Sequence, residues 1–254
     1  MIDEAKKYVL TEVKMDTYGD GVSDIIYRNS YDDRGNLIQK IVEDVSEDAS
    51  YTSTFTYDEN NHLLISDIND NYENQHRVFT YDEKGRKETM THNSADGSYK
   101  TYFTYDDRGN LIKEDETGNY DGEDEHRVRT YVYNANNQLI QKKFEIGIGY
   151  TTIDLYEYDG DNLIEENHSY NGEHKSRKKY VYNQNSQLVK KVHTTHYNQN
   201  LYEYSYNENG KITEEKYTNP HDQVYITKYS YDNDNNLIKK EKNNKITTYV
   251  WKKL

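Results

Sequence analysis

The sequence predicts an all-β protein built from tandem antiparallel β-hairpin repeats of about 25 residues each. Two observations carry that expectation. A unit that opens with a repeat Tyr recurs nine times, at Tyr31, Tyr57, Tyr81, Tyr105, Tyr133, Tyr158, Tyr182, Tyr206 and Tyr231. The residues before these tyrosines alternate, as in Tyr99, Thr101, Phe103 and Tyr105, which is the period of a strand with one aromatic face.

Each column of the unit has a local reason. The residue after the repeat Tyr is always Asp or Asn, from Asp32 and Asp58 to Asn207 and Asp232. Such side chains bond the backbone two residues on and open a turn. Three residues later stands Gly35, Gly85, Gly109 or Gly210, replaced elsewhere by Asn61, Asn137, Ser186 and Asn235. Gly and Asn tolerate the left-handed backbone that closes a short hairpin loop, so Ser186 fits least well. The unit at Tyr158 is one residue shorter, and its turn is expected to differ.

A Leu/Ile column opens the return strand at Leu37, Leu63, Leu111, Leu139, Leu163, Leu188, Ile212 and Leu237. Lys87 interrupts it and predicts a weaker hairpin at Tyr81. Two residues before the repeat Tyr runs a second aromatic column: Phe55, Phe79, Phe103, Tyr131, Tyr156, Tyr180, Tyr204 and Tyr229, with Asn29 in the first unit. The two columns predict two aromatic ladders, ring packed on ring, over a thin core.

Both ends fit the register. Tyr8-Val9-Leu10-Thr11-Glu12-Val13 reads as the return half of a unit, and Thr247–Trp251 as a first half with Trp251 in the repeat-Tyr column. These half-units, within 1–30 and 240–254, are expected to cap a single domain spanning 1–254.

Composition narrows the function classes. Only 33% of residues are hydrophobic, yet 13% are aromatic and there is a single Pro, which separates the chain from disordered sequences. The formal net charge of −14 argues against nucleic acid or an anionic membrane as partner. It suits a basic protein partner, or solubility alone. The absence of Cys excludes disulfides and thiolate metal sites. Met1–Lys7 has no apolar run behind its basic residues, so no secretory signal is expected there. No stretch approaches the ~18 consecutive apolar residues of a membrane span. A cytoplasmic protein is the expectation; signal-independent release to the cell surface, or a segment of a longer protein, are the alternatives.

The run Tyr31-Asp32-Asp33-Arg34-Gly35-Asn36-Leu37 and its copy Tyr105–Leu111, each preceded by alternating residues, resemble the Tyr-Asp (YD) repeats of RHS-type proteins. The resemblance covers nearly the whole chain. It implies hairpins winding into a spiral or curved sheet, which in long members forms a hollow shell around a toxic domain. It also implies an association with bacterial toxin systems. The core segment with a self-cleavage site that long members carry is not found in this sequence, and no catalytic residue carries over.

Among local motifs, Asp16-Thr17-Tyr18-Gly19-Asp20-Gly21-Val22-Ser23-Asp24 is similar to the calcium loops of EF-hand-like and thrombospondin-type repeats. Asp16, Asp20 and Asp24 would be the carboxylate ligands, with Gly21 at the turn and the Val22 carbonyl available. Tyr18 stands where a third-position carboxylate belongs, and an acidic inter-hairpin loop is the competing reading. Asp115, Asp121, Glu123 and Asp124 are assigned to the longest inter-unit loop, as a solvated insertion or a face for a cation or basic partner. His193 and His196, three apart, fall on opposite faces of a strand, which argues against a shared metal. Lys175-Ser176-Arg177-Lys178-Lys179 reads as a solubilising edge strand. Gly147-Ile148-Gly149 lacks the strand–loop–helix context of a dinucleotide loop. No Ser/His/Asp arrangement recurs at fixed repeat positions.

The sequence thus points to a non-enzymatic protein-binding scaffold associated with a bacterial toxin system, an immunity-type neutraliser or a carrier. The resemblance makes a basic toxin domain the kind of partner expected. The alternative is a carbohydrate- or ligand-binding RHS-repeat segment at the cell surface, with calcium in the acidic loop.

Overall fold

The computed structural model describes residues 8–69, 74–243 and 245–253. Met1–Lys7, expected to carry no secretory signal, lies outside the described residues. Among the described residues there are twenty strands and no helix, so no helix is long and apolar enough to cross a membrane. The strands are β1 Tyr8–Asp16, β2 Ile25–Tyr31, β3 Leu37–Asp44, β4 Ala49–Tyr57, β5 Leu63–Asn69, β6 Asn74–Tyr81 and β7 Lys87–Ser94. They continue as β8 Gly97–Tyr105, β9 Leu111–Tyr120, β10 Glu123–Tyr133, β11 Leu139–Ile146, β12 Tyr150–Asp159, β13 Asn162–Tyr170 and β14 Glu173–Tyr182. The last six are β15 Leu188–Thr195, β16 Gln199–Tyr206, β17 Ile212–Thr218, β18 Val224–Tyr231, β19 Leu237–Lys242 and β20 Lys245–Lys253.

The chain forms two compact units. One comprises Met1–Val78, Tyr206–Glu214 and Tyr225–Leu254; the other comprises Phe79–Ser205 and Glu215–Val224. In the first, β1 through β6 pair in sequence order, as do β18, β19 and β20. In the second, β7 through β16 do the same. Every one of these pairings is antiparallel, as short hairpin connections require.

The chain ends depart from expectation. β20 pairs with β1, placing Trp251 opposite Leu10. Tyr31 stands opposite Leu37 in the same way, at the same kind of register shift. The two half-units therefore do not cap a spiral. They complete one another, β20 supplying the first strand and β1 the return strand of a further unit. An open spiral would leave β1 and β20 as free edges; here each has a neighbour on both sides, which removes the hazard of unpaired edge strands.

The turns repeat one design. In the first, Asp32 N–H donates to the Asn36 carbonyl, and Gly35 N–H to the Asp32 carbonyl. The Asp32 carboxylate accepts from the backbone N–H of Arg34 and of Asn36, and from the Asn36 side-chain amide. Asn183 and Asn207 receive the same backbone bonds in their own turns. The residue in the Gly/Asn column adopts positive φ throughout, Ser186 included at 55°. The shortened unit turns instead through Gly160.

The repeat Tyr joins hairpin to hairpin. Its hydroxyl donates to the carbonyl in the Leu column of the preceding unit: Tyr57 to Leu37 at 3.0 Å, Tyr133 to Leu111 at 3.0 Å, Tyr158 to Leu139 at 3.0 Å and Tyr182 to Leu163 at 2.9 Å. Lys87 keeps this bond because only its backbone is needed, accepting from Tyr105 at 2.9 Å. The Lys87 ammonium lies 4.9 Å over the Phe79 ring, so the hairpin expected to be weak retains both contacts. The bonds run on to the joined ends, from Tyr31 to Leu10 and from Trp251 Nε1 to Leu237. Successive copies of a column lie two strands apart, roughly 9.5 Å, too far for ring-on-ring stacking but within reach of a phenol. Stacked pairs form outside these columns, between His92 and Tyr99, Tyr99 and Tyr120, and Tyr202 and Tyr217.

The core is thin. Among the described residues only Val9 and Phe79 are buried hydrophobic side chains, and the fully buried one is Thr101, 1% exposed. Ser53, Ser66 and Thr227 are buried as well. The rings around such small side chains are themselves half-exposed, which Tyr tolerates because its hydroxyl stays hydrogen-bonded.

Candidate functional site

With the repeat columns engaged in the fold, the other end of each hairpin carries the variable residues. The β1–β2 loop contains the calcium-like motif. Asp16 and Asp24 are buried at its two ends, turned onto the loop's own donors. Asp16 accepts from the backbone N–H of Gly19 at 2.5 Å and of Gly21 at 2.9 Å. Asp24 accepts from Thr17 N and Thr17 Oγ1, both at 2.6 Å, and the Thr17 hydroxyl holds its carboxyl below the usual range. Asp20 accepts from Val22 N. Both oxygens of Asp16, Oδ1 of Asp20 and Oδ2 of Asp24 thus accept hydrogen bonds from the loop itself.

Asp115, Asp121, Glu123 and Asp124 are not in a long loop. Leu111–Tyr120 and Glu123–Tyr133 form an extended hairpin closed by Asp121-Gly122, both at positive φ. That Asp-Gly pair is a two-residue turn signature and explains the 28-residue spacing as longer strands. Asp115 sits between Lys113 at 2.5 Å and His126 at 2.6 Å, and hydrogen bonding, from Lys113 foremost, lowers its pKa. Asp124 stands opposite Asn119.

The basic run is also relocated. It belongs to β14, which pairs with β13 on one side and β15 on the other, so it is not an edge. Arg177 and Lys178 bond Glu165 and Glu166 at 2.5 and 2.6 Å, which accounts for their placement. His193 lies in β15, its pKa lowered by burial and then by Lys178 and Lys191. His196 lies beyond the strand, edge-on to Tyr197 at 4.8 Å. Among the described residues no group of three or more His, Asp or Glu is placed to hold a metal ion.

One polar row escaped the sequence reading. Asp154, His168 and Ser176 stand directly opposite one another on β12, β13 and β14. His168 Nδ1 and Asp154 Oδ1 are 2.7 Å apart, but Ser176 forms no hydrogen bond to the imidazole. Nearby, the Tyr180 hydroxyl donates to Glu166, and burial raises the pKa of Tyr156 to about 12. Alignment of this kind comes from strand register across three strands, which no local spacing reveals.

The loop ends expose large apolar side chains. Ile148 at the Gly147–Gly149 tip is 108% exposed, Tyr197 is 87% and Tyr18 is 73%, with Val22 and Val45 also exposed. Around Ile148 the side chains are contiguous: Phe144 meets Tyr150 at 6.0 Å and Tyr150 meets Tyr170 at 5.2 Å, both edge-on. The repeat turns hold no such residue; 32–36, 106–110 and 183–187 are polar throughout.

No protein-family model matches the chain. No curated protein matches it either. Among solved structures, that of TcdB2-TccC3 is similar over 84% of this chain at 16% identity and a TM-score of 0.44. A second structure, TcdB2-TccC3 without its hypervariable C-terminal region, gives 16% identity and 0.43 over the same share. This chain spans 12% of the length of each. A porin-like protein from Bacteroides uniformis is similar over 95% of both chains, at 11% identity and a TM-score of 0.40.

Proposed function

We propose that this chain is a non-enzymatic scaffold that binds a basic protein partner through the loop ends of its hairpins. The observation that carries the reading is the contrast between the two hairpin ends. Scattered exposed apolar residues are ordinary on a protein surface, but here the five most exposed, Ile148, Tyr197, Tyr18, Val22 and Val45, all stand at variable tips. Those beside the repeat turns, such as Ile38, Val132 and Val181, are no more than half exposed. Exposed Tyr, Ile and Val at tips flanked by Asp20, Glu47, Asp48 and Glu173 offer apolar anchors within an acidic rim. The net charge of −14 favours encounter with a basic surface. The missing Ser176–His168 hydrogen bond supports a non-catalytic reading of that row.

The resemblance of the repeats to those of RHS-type proteins gives the finer form of the proposal. In it the partner is a basic toxin domain and the chain, in the cytoplasm, is its immunity-type neutraliser or its carrier. Affinity capture from the native cell tests this, with wild type compared against Ile148→Ser/Tyr150→Ser/Tyr197→Ser. Wild type is expected to retain a basic protein that the variant loses. Equal retention by both, or recovery of glycans alone, would overturn the reading.

A further inference from the structure

Across β7, β8, β9 and β10, on the face opposite Tyr99 and Tyr120, eight polar side chains form two aligned rows. Thr91, Lys100, Thr117 and His126 stand opposite one another in the first, and Asn93, Ser98, Asn119 and Asp124 in the second. Together with Tyr99, Gly118 and Glu125 they line an open concavity of about 710 Å³. The four strands span roughly 14 Å and the two rows lie about 7 Å apart, so the hollow is elongated.

Most polar groups in this chain are engaged with one another; in these rows Asn119 Nδ2 reaches Asp124 Oδ1 at 3.5 Å, but four side chains are not engaged. Thr91, Asn93, Ser98 and Thr117 have no hydrogen-bond partner among the described residues, while His126 and Asn119 are steadied from the side by Asp115 and Gly122. Two residues along β8 from Lys100, Tyr102 presents its ring on the same face, 49% exposed. Lys100 lies 4.8 Å over that ring.

The lining selects a chemical class. Hydroxyls and amides both donate and accept, which matches a ligand whose own groups do both. None of the eight side chains in the two rows is wholly apolar. Lys100 in one row is balanced by Asp124 in the other, which leaves no net positive charge to hold a phosphate or sulfate. An exposed aromatic ring beside a polar grid suits the C–H face of a sugar. We propose that this hollow binds a neutral oligosaccharide, its hydroxyls on the two rows and one ring against Tyr102. This site is independent of the protein-binding tips, and either can fail without the other.

An array of neutral glycans, followed by NMR titration of the full chain with the best binder, tests the proposal. Amide shifts are expected to cluster at 91–93, 98–102, 117–119 and 124–126. Asn93→Ala and Tyr102→Ala, which alter exposed side chains, should each weaken binding at least tenfold while leaving the remaining spectrum in place. Absence of any neutral binder, shifts located elsewhere, or variants that bind as wild type would each overturn it. Binding of acidic glycans only would overturn it as well.

Discussion

The two ends of each hairpin solve different problems. At the turn end, an Asp or Asn side chain caps two backbone N–H groups, a positive-φ residue closes the loop, and the repeat Tyr fastens one unit to the previous one. At the loop end the closures differ: Asp121-Gly122, Asn171-Gly172, the capped loop of Asp16, and at Asn219–Gln223 a copy of the capped turn used at the other end. A chain with so thin a core needs regular backbone hydrogen bonding at one end, and only that end must be regular. The other is free to vary, and it carries the most exposed apolar residues, Ile148, Tyr197 and Tyr18.

The largest effect tests whether the joined ends belong to the regular system. Trp251→Ala removes an indole and its bond to Leu237, and should lower stability by about 3 kcal/mol in denaturant titration. Val250→Ala, one residue away and exposed, should change it by less than about 0.5 kcal/mol. Equal losses would mean that the seam is not built like the other units. A smaller effect, about 1 kcal/mol, is expected for Asp106→Ala, which strips its caps from Arg108 N and Asn110 N.

The turns also differ in their response to acid. Hydrogen bonding to the carboxylates, led by the Asn36, Asn110 and Asn236 side chains, depresses the pKa of Asp32, Asp106 and Asp232. A depressed folded pKa means stability that is fully present above the unfolded value, near 3.9, and is lost as pH falls through the folded one. Hydrogen exchange below pH 4 should therefore show hairpins 32, 106 and 232 losing protection before hairpins 134, 183 and 207, whose turns carry Asn. Simultaneous loss would show that the caps contribute nothing local.

Much of the turn end was legible in the sequence. Asp32 with Gly35, and Asn183 with Ser186, predicted their turns because the chemistry lies within five residues. The hydroxyl bond from Tyr57 to Leu37 was not legible, since it crosses between units, and the expected ring-on-ring ladder gave way to strand spacing. The joining of β1 to β20 was half visible, in matching half-units, but sequence alone does not say whether such ends cap or meet. The sites were less legible still. Asp154, His168 and Ser176, like the polar rows at Thr117 and Asn119, are assembled by register across strands. Their separations in sequence mean nothing until that register is known. The β14 basic run was misplaced on an edge for the same reason: which strands flank it is a property of the whole array.

The central claim is that the turn ends hold the fold and the loop ends do not. Denaturant titration of two double variants tests it directly. Tyr133→Phe/Tyr182→Phe removes two hydroxyl bonds to Leu111 and Leu163, and should cost about 2 kcal/mol. Ile148→Ser/Tyr197→Ser removes two exposed tips and should stay within about 0.5 kcal/mol of wild type. Equal losses, or a larger loss from the tip variant, would contradict the account.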